Sequence, residues 1–402
     1  MFFETFCNHA LSAQLSGSRS QITYSITADT PEELHKKALD ICAEQTVEFP
    51  VNLLPPGEIP EKILGQIVSL EYENDSENFL GIPHSVPVPP KVTAKVRISF
   101  ADEVLTPELP QLLNVVYGNI SIKPGIRVLS LNLSENLIQH FPGPRFGITG
   151  IRNLLQVHGR PLLFTALKPQ GLSAEDLASL AYDFARGGMD IIKDDHGISN
   201  QTFSPFSQRV TACTAAIRRA NDETGYRSIY VPNITAPHSE IIRRARYAQE
   251  CGAGGVLISP GLTGFDILRE LSSDPDFSLP IFMHPAFLGS FVLNTAGISH
   301  GCLFGQIARL SGADATIFPN FGGRFSFSHQ ECKEIAAAAT QKMAHLSPIF
   351  PCPAGGMKIE NVNRMLETYG TDVMLLIGGG LFSHGTNLRE TCQFLRNNIS
   401  CP

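Results

Sequence analysis

A lysine and three further titratable residues end one of the most apolar segments of the chain. Residues 187–196 read Gly-Gly-Met-Asp-Ile-Ile-Lys-Asp-Asp-His, so that Lys193 directly precedes Asp194, Asp195 and His196. An uncompensated charge next to apolar residues costs several kcal/mol of free energy. A lysine beside aspartates at such a place therefore indicates an ion-paired or metal-binding site, for which a solvated surface loop is the ordinary alternative.

Other apolar segments are also followed by polar residues that could take part in catalysis. These residues are Lys168, Asn233, His284, His300, Asn320 and Arg324. A single histidine after a strand is more often a hydrogen-bonded structural residue than a ligand. The chemical interpretation therefore depends on whether the fold brings these side chains to one face.

Glycine pairs follow the last two apolar segments, as Gly355-Gly356 and Gly379-Gly380. A single pair is most often only a turn. Backbone N–H groups in glycine-rich turns between a strand and a helix, however, commonly bind phosphate in barrel proteins. Two such pairs, after the seventh and eighth segments, predict a phosphorylated substrate.

Short apolar segments alternate eight times with helical patterns between residues 141 and 402, which predicts a (β/α)8 TIM barrel. Catalytic residues of such barrels lie at the C-terminal ends of the strands, where the polar residues above fall. An open doubly wound sheet is the alternative, but its G-x-G-x-x-G motif is missing. The predicted strands are Leu162–Leu167, Met189–Ile192, Ile229–Val231, Gly255–Ile258, Leu279–Met283, Ala315–Phe318, Ile349–Phe350 and Val373–Ile377, and helices are predicted at Ala174–Gly187, Glu240–Gly252 and Ile359–Tyr369.

Residues 1–140 predict an α+β domain of ferredoxin-like type in front of the barrel. Alternating polar and apolar residues favour half-buried antiparallel strands. Thr30 is a predicted N-cap, with Pro31 in the first turn and Glu33 at the capping-box position, for a helix that ends near Glu44. The other predicted elements are strands at Ser20–Ile26, Lys91–Phe100 and Val128–Leu133, a helix at Pro107–Asn114 and a loop at Ile82–Pro90.

Composition excludes several classes of protein. The 402 residues carry a formal net charge of −7 and contain no basic run, so nucleic acid is not an expected partner. No apolar stretch is long enough to predict a membrane span, and the N-terminal residues lack the basic start of a signal peptide. Nine dispersed cysteines without a C-x-x-C pair predict reduced thiols and a cytoplasmic protein.

Taken together, these motifs resemble those of the large chain of ribulose bisphosphate carboxylase (RuBisCO). The run from Gly187 to Asp195 resembles the metal-site motif of that family. Lys168-Pro-x-Gly-Leu-Ser resembles its strand-one lysine motif, and Pro142-Gly-Pro-Arg-Phe-Gly resembles the start of its barrel. The chain is identified as a RuBisCO-like protein (form IV), not a true carboxylase.

The resemblance implies a role for each matching residue. Lys193 matches the lysine that CO2 converts to a carbamate, an anionic oxygen ligand that suits one Mg2+ per subunit. Asp195 matches the second metal ligand, His196 stands at the third ligand position, and Lys168 matches the lysine that polarises the substrate. The remaining matches are His284 as the strand-five histidine and His300, Arg324, Gly355, Gly356, Gly379 and Gly380 as substrate- or phosphate-binding residues.

Two N-terminal residues complete the implied site. Glu44 and Asn119 match residues that reach into the active site of a neighbouring subunit, which implies a homodimer with shared active sites and a sugar phosphate as the substrate. In the methionine-salvage enolases of the family, the lysine that abstracts the proton stands where this chain has Asn119.

Departures from the family pattern narrow the predicted activity. His196 replaces a glutamate, which weakens an all-oxygen Mg2+ site or favours a softer metal. The same replacement removes a negative charge and so favours an additional anionic group on the substrate. Ala354 replaces a serine of the phosphate loop, and Pro285 replaces an arginine. These differences argue against CO2 fixation on ribulose bisphosphate.

The resemblance therefore leaves several reactions that share a metal-held enediolate. The favoured one is decarboxylation of 3-oxo-isoapionate 4-phosphate in apiose catabolism, since loss of CO2 gives the enediolate without proton abstraction. A C–C hydrolase on the same substrate is an alternative. Two further alternative reactions are those of the 2,3-diketo-5-methylthiopentyl-1-phosphate enolase of methionine salvage and of a thio-sugar phosphate isomerase. A non-catalytic sugar-phosphate binder is the alternative outside the enzymes.

Overall fold

The structure is a computed structural model that describes residues 15–73, 91–385 and 387–399. The predicted loop at Ile82–Pro90 lies outside these residues. The described residues form two compact units, of which the first lies within residues 1–141 and 290–302 and the second within residues 142–289 and 303–402. Among the helices in the described part of the chain, none is long and apolar enough to cross a membrane.

The elements of both units are numbered in chain order. The strands are β1 Arg19–Ala28, β2 Gln66–Tyr72, β3 Val92–Ala101, β4 Ile126–Asn132, β5 Leu162–Leu167, β6 Ile191–Asp194, β7 Ile229–Val231, β8 Val256–Ile258, β9 Ile281–Met283, β10 Gly297–Ile298, β11 Ala315–Pro319, β12 Phe350–Ala354 and β13 Met374–Leu376. The helices are α1 Pro31–Glu44, α2 Asp102–Leu105, α3 Leu109–Tyr117, α4 Glu135–Ile138, α5 Gly147–Leu155, α6 Ala174–Arg186, α7 Phe206–Thr224, α8 His238–Glu250, α9 Pro260–Thr263, α10 Asp266–Ser273, α11 Gly289–Val292, α12 Ala308–Leu310, α13 His329–Thr340, α14 Val362–Tyr369, α15 Gly379–Phe382 and α16 Leu388–Asn398.

The first unit contains a five-stranded sheet in the order β10-β4-β1-β3-β2. Strand β1 pairs antiparallel with β3 and β4, and β2 pairs antiparallel with β3, so that β4-β1-β3-β2 have the order of a ferredoxin-like sheet. Strand β2 was not predicted, because it lies at the sheet edge and its half-buried and exposed residues give only a weak apolar pattern. Strand β10 joins the sheet in parallel with β4, although its residues come from far along the chain.

Helix α1 begins and ends where the sequence predicts. The Thr30 side chain accepts a hydrogen bond from the N–H of Glu33 at 3.2 Å, as an N-cap does. The Glu33 carboxylate, however, accepts from the N–H of Asp29 and not from that of Thr30, so the expected reciprocal capping box is displaced by one residue. Buried Leu34, Ala38, Ile41 and Cys42 form the apolar face of the helix.

The second unit is the predicted barrel, which the described strands confirm. Parallel pairing gives the sheets β13-β5-β6-β7 and β12-β11-β9-β8. Hydrogen bonds of Leu257 with Pro232 and Ile234, each 2.9 Å, join β7 to β8, and β12 lies beside β13, so the circle closes. The barrel core consists of inward-facing apolar residues together with residues of α5, among them Leu162, Phe164, Ile191, Val231, Leu257, Phe282, Ile317, Cys352, Met374, Ile148 and Ile151.

Strand boundaries differ from the prediction mainly at β6 and β12. Strand β12 was predicted at Ile349–Phe350 but extends over Phe350–Ala354. The prediction ended the second barrel strand at Ile192, but Lys193 and Asp194 continue it and pair with Ala166 and Leu167 of β5. Both polar residues are buried, which the sequence pattern could not indicate. The end of β6 therefore carries Lys193 inside the barrel rather than on a loop above it.

Asp314 joins the starts of two elements in the barrel. Its carboxylate accepts hydrogen bonds from the N–H groups of Phe146 at 2.7 Å, Gly147 at 2.8 Å and Ile281 at 2.9 Å. The first two donors open α5, and the third opens β9. Complete burial raises the pKa of Asp314 to about 6, against the lowering influence of these three backbone donors.

The shifted pKa predicts a pH-dependent stability. Between the ordinary pKa of 3.8 and the folded value of about 6, the folded chain binds more protons at Asp314 than the unfolded chain does. The contribution of Asp314 to the free energy of unfolding is therefore fully present below its ordinary pKa and is lost as the pH rises through its folded pKa. We expect the free energy of unfolding of the wild type, relative to Asp314→Asn, to fall over this interval in urea titrations. A difference that is constant or rises with pH would contradict the assignment.

Candidate functional site

Lys193 is one of the two most deeply buried side chains among the predicted site residues, together with His300. It continues the inward-facing side of β6 that begins with Ile191, and only 2 % of the residue is exposed. Its Nζ donates to the carbonyl oxygen of Asp194 at 3.0 Å. Burial lowers the pKa of Lys193 to about 8, while the Asp195 carboxylate opposes that shift. A substantial neutral fraction of this amine is therefore present at slightly alkaline pH, and the neutral form is the one that reacts with CO2.

Lys168 and Asp195 form an ion pair across the ends of β5 and β6. The Nζ of Lys168 lies 2.7 Å from Oδ2 of Asp195, and the lysine side chain is 35 % exposed. Burial of Asp195 opposes its ionisation, but Lys168 and Lys193 outweigh burial and lower the pKa of the carboxyl. The C-terminal end of the barrel strands, where Lys168, Lys193 and Asp195 lie, is called the barrel mouth here. It thus contains a stable carboxylate between two lysines.

Two imidazole rings face each other beside this ion pair. The rings of His196 and His284 stack with centroids 4.4 Å apart, and Nδ1 of His284 accepts a hydrogen bond from the N–H of Ala286 at 3.1 Å. Burial lowers the pKa of both histidines, and the positive charges of Lys193 and Lys168 lower them further. Both rings are therefore mainly neutral at neutral pH.

The glycine-rich turns and Arg324 lie at the same end of the barrel. Gly355 and Gly356 adopt φ values of +86° and +95°, which other residues rarely adopt, and the N–H of Arg324 donates to the Gly355 carbonyl at 3.3 Å. Arg324 is also close enough to lower the pKa of His196.

The turn after β13 lies near Lys168. A Cβ at Gly378 would lie 3.8 Å from Cε of Lys168, and Gly379 and Gly380 then begin α15. Within residues 91–385, no protein acceptor binds the N–H groups of Gly355, Gly356 or Gly379. These donors are thus available to an anion.

The other predicted site residues belong to the first unit. Nδ2 of Asn119 donates to Oε1 of Glu44 at 3.1 Å and to Oε1 of Glu48 at 3.2 Å, so a second carboxylate that was not predicted joins this pair. Lys123 lies 3.6 Å from Glu44. His300 follows β10 and is 2 % exposed.

Asp194 was named in the sequence motif but was given no role. Its carboxylate is fully buried on the outer side of β6, where it binds Arg209 and Tyr230. Period-two alternation along β6 could have indicated that Asp194 faces away from Lys193. The identity of its partners could not be inferred, since they lie on other elements.

Asp195 and His196 supply two possible metal ligands, and a third ligand from the protein would have to come from a modified Lys193. Oδ1 of Asp195 and Nδ1 of His196 lie 3.3 Å apart, close to the separation of about 3 Å between neighbouring ligands of octahedral Mg2+. No group of three or more His, Cys, Asp or Glu side chains suited to a metal occurs in the described ranges. A carbamate on Lys193 would supply the missing oxygen, and the lowered pKa of that amine fits this modification.

Comparisons with known proteins identify the family of the chain. Residues 147–401 match the family described as ribulose bisphosphate carboxylase large chain, catalytic domain. A crystal structure of a RuBisCO-like protein from Rhodopseudomonas palustris superposes with a TM-score of 0.80 and 36 % identity, over 95 % of this chain and 97 % of that one.

Two curated relatives are enzymes of small phosphorylated substrates. The 5-methylthioribulose-1-phosphate isomerase of Rhodospirillum rubrum is 33 % identical over 94 % of this chain and 95 % of its own. The 2,3-diketo-5-methylthiopentyl-1-phosphate enolase of Geobacillus thermodenitrificans is 35 % identical over 72 % of this chain and 71 % of its own. Together with the matched fold, these similarities show that the chain belongs to the RuBisCO large-chain family, alongside its RuBisCO-like proteins.

Proposed function

We propose that the protein is an enzyme that generates and stabilises the enediolate of a keto sugar phosphate, and that its reaction is the decarboxylation of 3-oxo-isoapionate 4-phosphate. The supporting observation is the cluster of Lys168, Asp195 and Lys193 at the barrel mouth, with an ion-pair distance of 2.7 Å. Two lysines beside one paired carboxylate stabilise negative charge that develops on a bound oxygen.

The charges at the barrel mouth favour a substrate that carries a carboxylate in addition to its phosphate. His196 and His284 are neutral, and the carboxylate of Asp195 is already paired with Lys168. A glutamate in place of His196 would repel a second anion, whereas an imidazole does not. The free N–H groups of Gly355, Gly356 and Gly379 and the guanidinium of Arg324 are the proposed phosphate- and substrate-binding groups.

Decarboxylation of a β-keto acid requires an electron sink and a later proton donor. The bond between the carboxylate and its carbon breaks, CO2 leaves, and the electron pair moves to the carbonyl oxygen to form the enediolate. Lys168 is the proposed hydrogen-bond donor to that oxygen and the proposed source of the proton that returns to carbon. Carbamylated Lys193, Asp195 and His196 would hold Mg2+, which supplies Lewis-acid stabilisation when bound.

An isomerase acting on a thio-sugar phosphate is the second candidate function. The stacked neutral rings of His196 and His284, 4.4 Å apart, could accept the proton that an isomerase must move. The similarity to the Rhodospirillum rubrum isomerase extends over nearly the whole of both chains. A methionine-salvage enolase would need another base, since Asn119 stands where that branch has its lysine, and Lys168 is the substitute at hand.

The proposal also concerns the organisation of the protein. We expect residues 1–140 and 141–402 to act as an N-terminal and a catalytic domain, and the enzyme to be a cytoplasmic homodimer with shared active sites. The contact of Asn119 with Glu44 is consistent with a preformed pair that serves such a site.

Product analysis by carbon NMR distinguishes the candidate reactions. We expect the purified protein with Mg2+, bicarbonate and 3-oxo-isoapionate 4-phosphate to release CO2 and a tetrulose phosphate. Glycolate and a phosphoglycerate would instead identify a C–C hydrolase. No turnover of this substrate, with proton exchange on 5-methylthioribulose 1-phosphate, would establish the isomerase. Turnover of the methionine-salvage diketone alone would identify the enolase, and binding of all these phosphates without turnover would indicate a binder.

A further inference from the structure

Asp194 is a buried carboxylate that lies between Lys193 and Asp195 in the sequence. Its side chain lies on the outer side of β6, opposite to that of Lys193. Lys193 continues the inward-facing row of β6, and alternation turns Asp194 outward. Neither Asp194 nor its partner Arg209 has any side-chain exposure to solvent. Such an ion is tolerated only when paired and hydrogen-bonded.

Three donors from three different parts of the barrel bind the Asp194 carboxylate. The hydroxyl of Tyr230 on β7 donates to Oδ1 at 2.6 Å. Nε of Arg209 in α7 donates to Oδ2 at 3.1 Å, and the backbone N–H of Asn233 donates to the same oxygen at 3.0 Å. Because both oxygens are bound, the orientation of the carboxylate is fixed.

We propose that Tyr230 is a positioning residue that, by holding Asp194, keeps the neighbouring side chains of Lys193 and Asp195 directed into the barrel mouth. The inference rests on the proposed function, because it concerns the same site. It adds a residue that lies on the outer face of the barrel wall.

The side chains of Arg209 and Asn233 also hold the loop that follows β6. Arg209 donates to the carbonyl oxygens of Ser204 and Ser199, both at 2.7 Å. Nδ2 of Asn233 donates to the carbonyl oxygens of His196 at 3.0 Å and Ile198 at 2.9 Å. The backbone that follows Asp195 is thereby tied to Arg209 and Asn233, which also bind the Asp194 carboxylate.

Tyr230 offers the mildest way to perturb this group. The residue is 1 % exposed, and burial raises the pKa of its phenol well above the ordinary value, so it remains a donor. Tyr230→Phe removes the donor to Oδ1 but leaves Arg209 to neutralise Asp194. The fold should therefore survive while the carboxylate gains freedom to rotate.

Metal affinity tests this role with a matched control. We expect Tyr230→Phe to raise the apparent Kd for Mn2+ in bicarbonate buffer at least 5-fold, measured by electron paramagnetic resonance, an effect of about 1 kcal/mol. We also expect kcat to fall with little change in KM. Tyr24→Phe is the control, since Tyr24 is equally buried and donates to the Val116 carbonyl at 2.9 Å in the first unit. It should lower the melting temperature but leave Mn2+ affinity unchanged.

Each outcome bears on the inference. Wild-type Mn2+ affinity in Tyr230→Phe, with a loss of stability like that of Tyr24→Phe, would show a purely structural role and overturn it. If the wild type itself binds no Mn2+, the metal-assisted part of the proposed function fails separately. Crystal structures of both proteins then decide. Displacement of the Lys193 and Asp195 side chains in Tyr230→Phe supports the inference, and unchanged positions overturn it.

Discussion

Replacing Lys168 with methionine should lower kcat about 1000-fold, the upper range for removing one preorganised charge-stabilising donor. The lysine Nζ lies 2.7 Å from Asp195, at the end of β5 and close to the turn at Gly378. Methionine keeps the length of the side chain but removes both the cation and the proton donor. Steady-state kinetics on the substrate identified by carbon NMR measures the effect.

The control for Lys168→Met is Lys333→Met, which removes an exposed lysine of α13. We expect the control to retain wild-type kcat, so that a general effect of charge loss is excluded. Retention of more than about one tenth of wild-type kcat in Lys168→Met would contradict the role assigned to this lysine. A fall in kcat with an unchanged far-UV spectrum and melting temperature would support it.

Replacing Asp190 with asparagine should lower the free energy of unfolding by about 3 kcal/mol, as expected for a broken buried ion pair. Asp190 precedes β6, and its side chain is 6 % exposed. Its two oxygens bind both terminal nitrogens of Arg160 at 2.6 and 2.8 Å, and one of them also lies 3.2 Å from Arg396 of α16. The N–H of Leu163 donates to Oδ2 of Asp190 at 2.8 Å. Asparagine would leave two arginines without a counter-charge.

A second aspartate paired with α16 provides the control. Asp183 lies 2.8 Å from Arg389, but both side chains are more than one-third exposed. Water screens this pair, so Asp183→Asn should cost less than about 1 kcal/mol. Urea unfolding of both variants measures the difference. Equal losses in the two variants would show that burial does not decide the strength of these pairs.

Much of the fold followed from local patterns. Apolar segments of strand length alternating with helical patterns predicted the barrel. The first barrel strand, β5 at Leu162–Leu167, has the predicted bounds. Thr30 and Pro31 predicted the start of α1 because capping involves only neighbouring residues. The course of residues 290–302 was not predictable, because β10 pairs with β4 through hydrogen bonds between backbone groups distant in sequence.

In the candidate site, too, local sequence predicted some features and contacts between distant residues decided the others. The order Lys193-Asp194-Asp195-His196 and the lysine after β5 indicated which residue types meet at the strand ends. The stacking of His196 on His284 could not be predicted, because it depends on the spacing between β6 and β9. The pKa of Lys193, about 8, likewise depends on how completely the barrel buries its amine.

The amino-acid sequence alone determined the types of element, the chemical groups at their ends and the family resemblance, since each depends on residues that are near neighbours in the chain. Only the tertiary structure decided which of those groups meet. The 2.7 Å ion pair of Lys168 with Asp195 and the outward turn of Asp194 onto Tyr230 both require strands packed side by side. Burial, charge spacing and pKa shifts arise from that packing, because they depend on distances through space and on the exclusion of water.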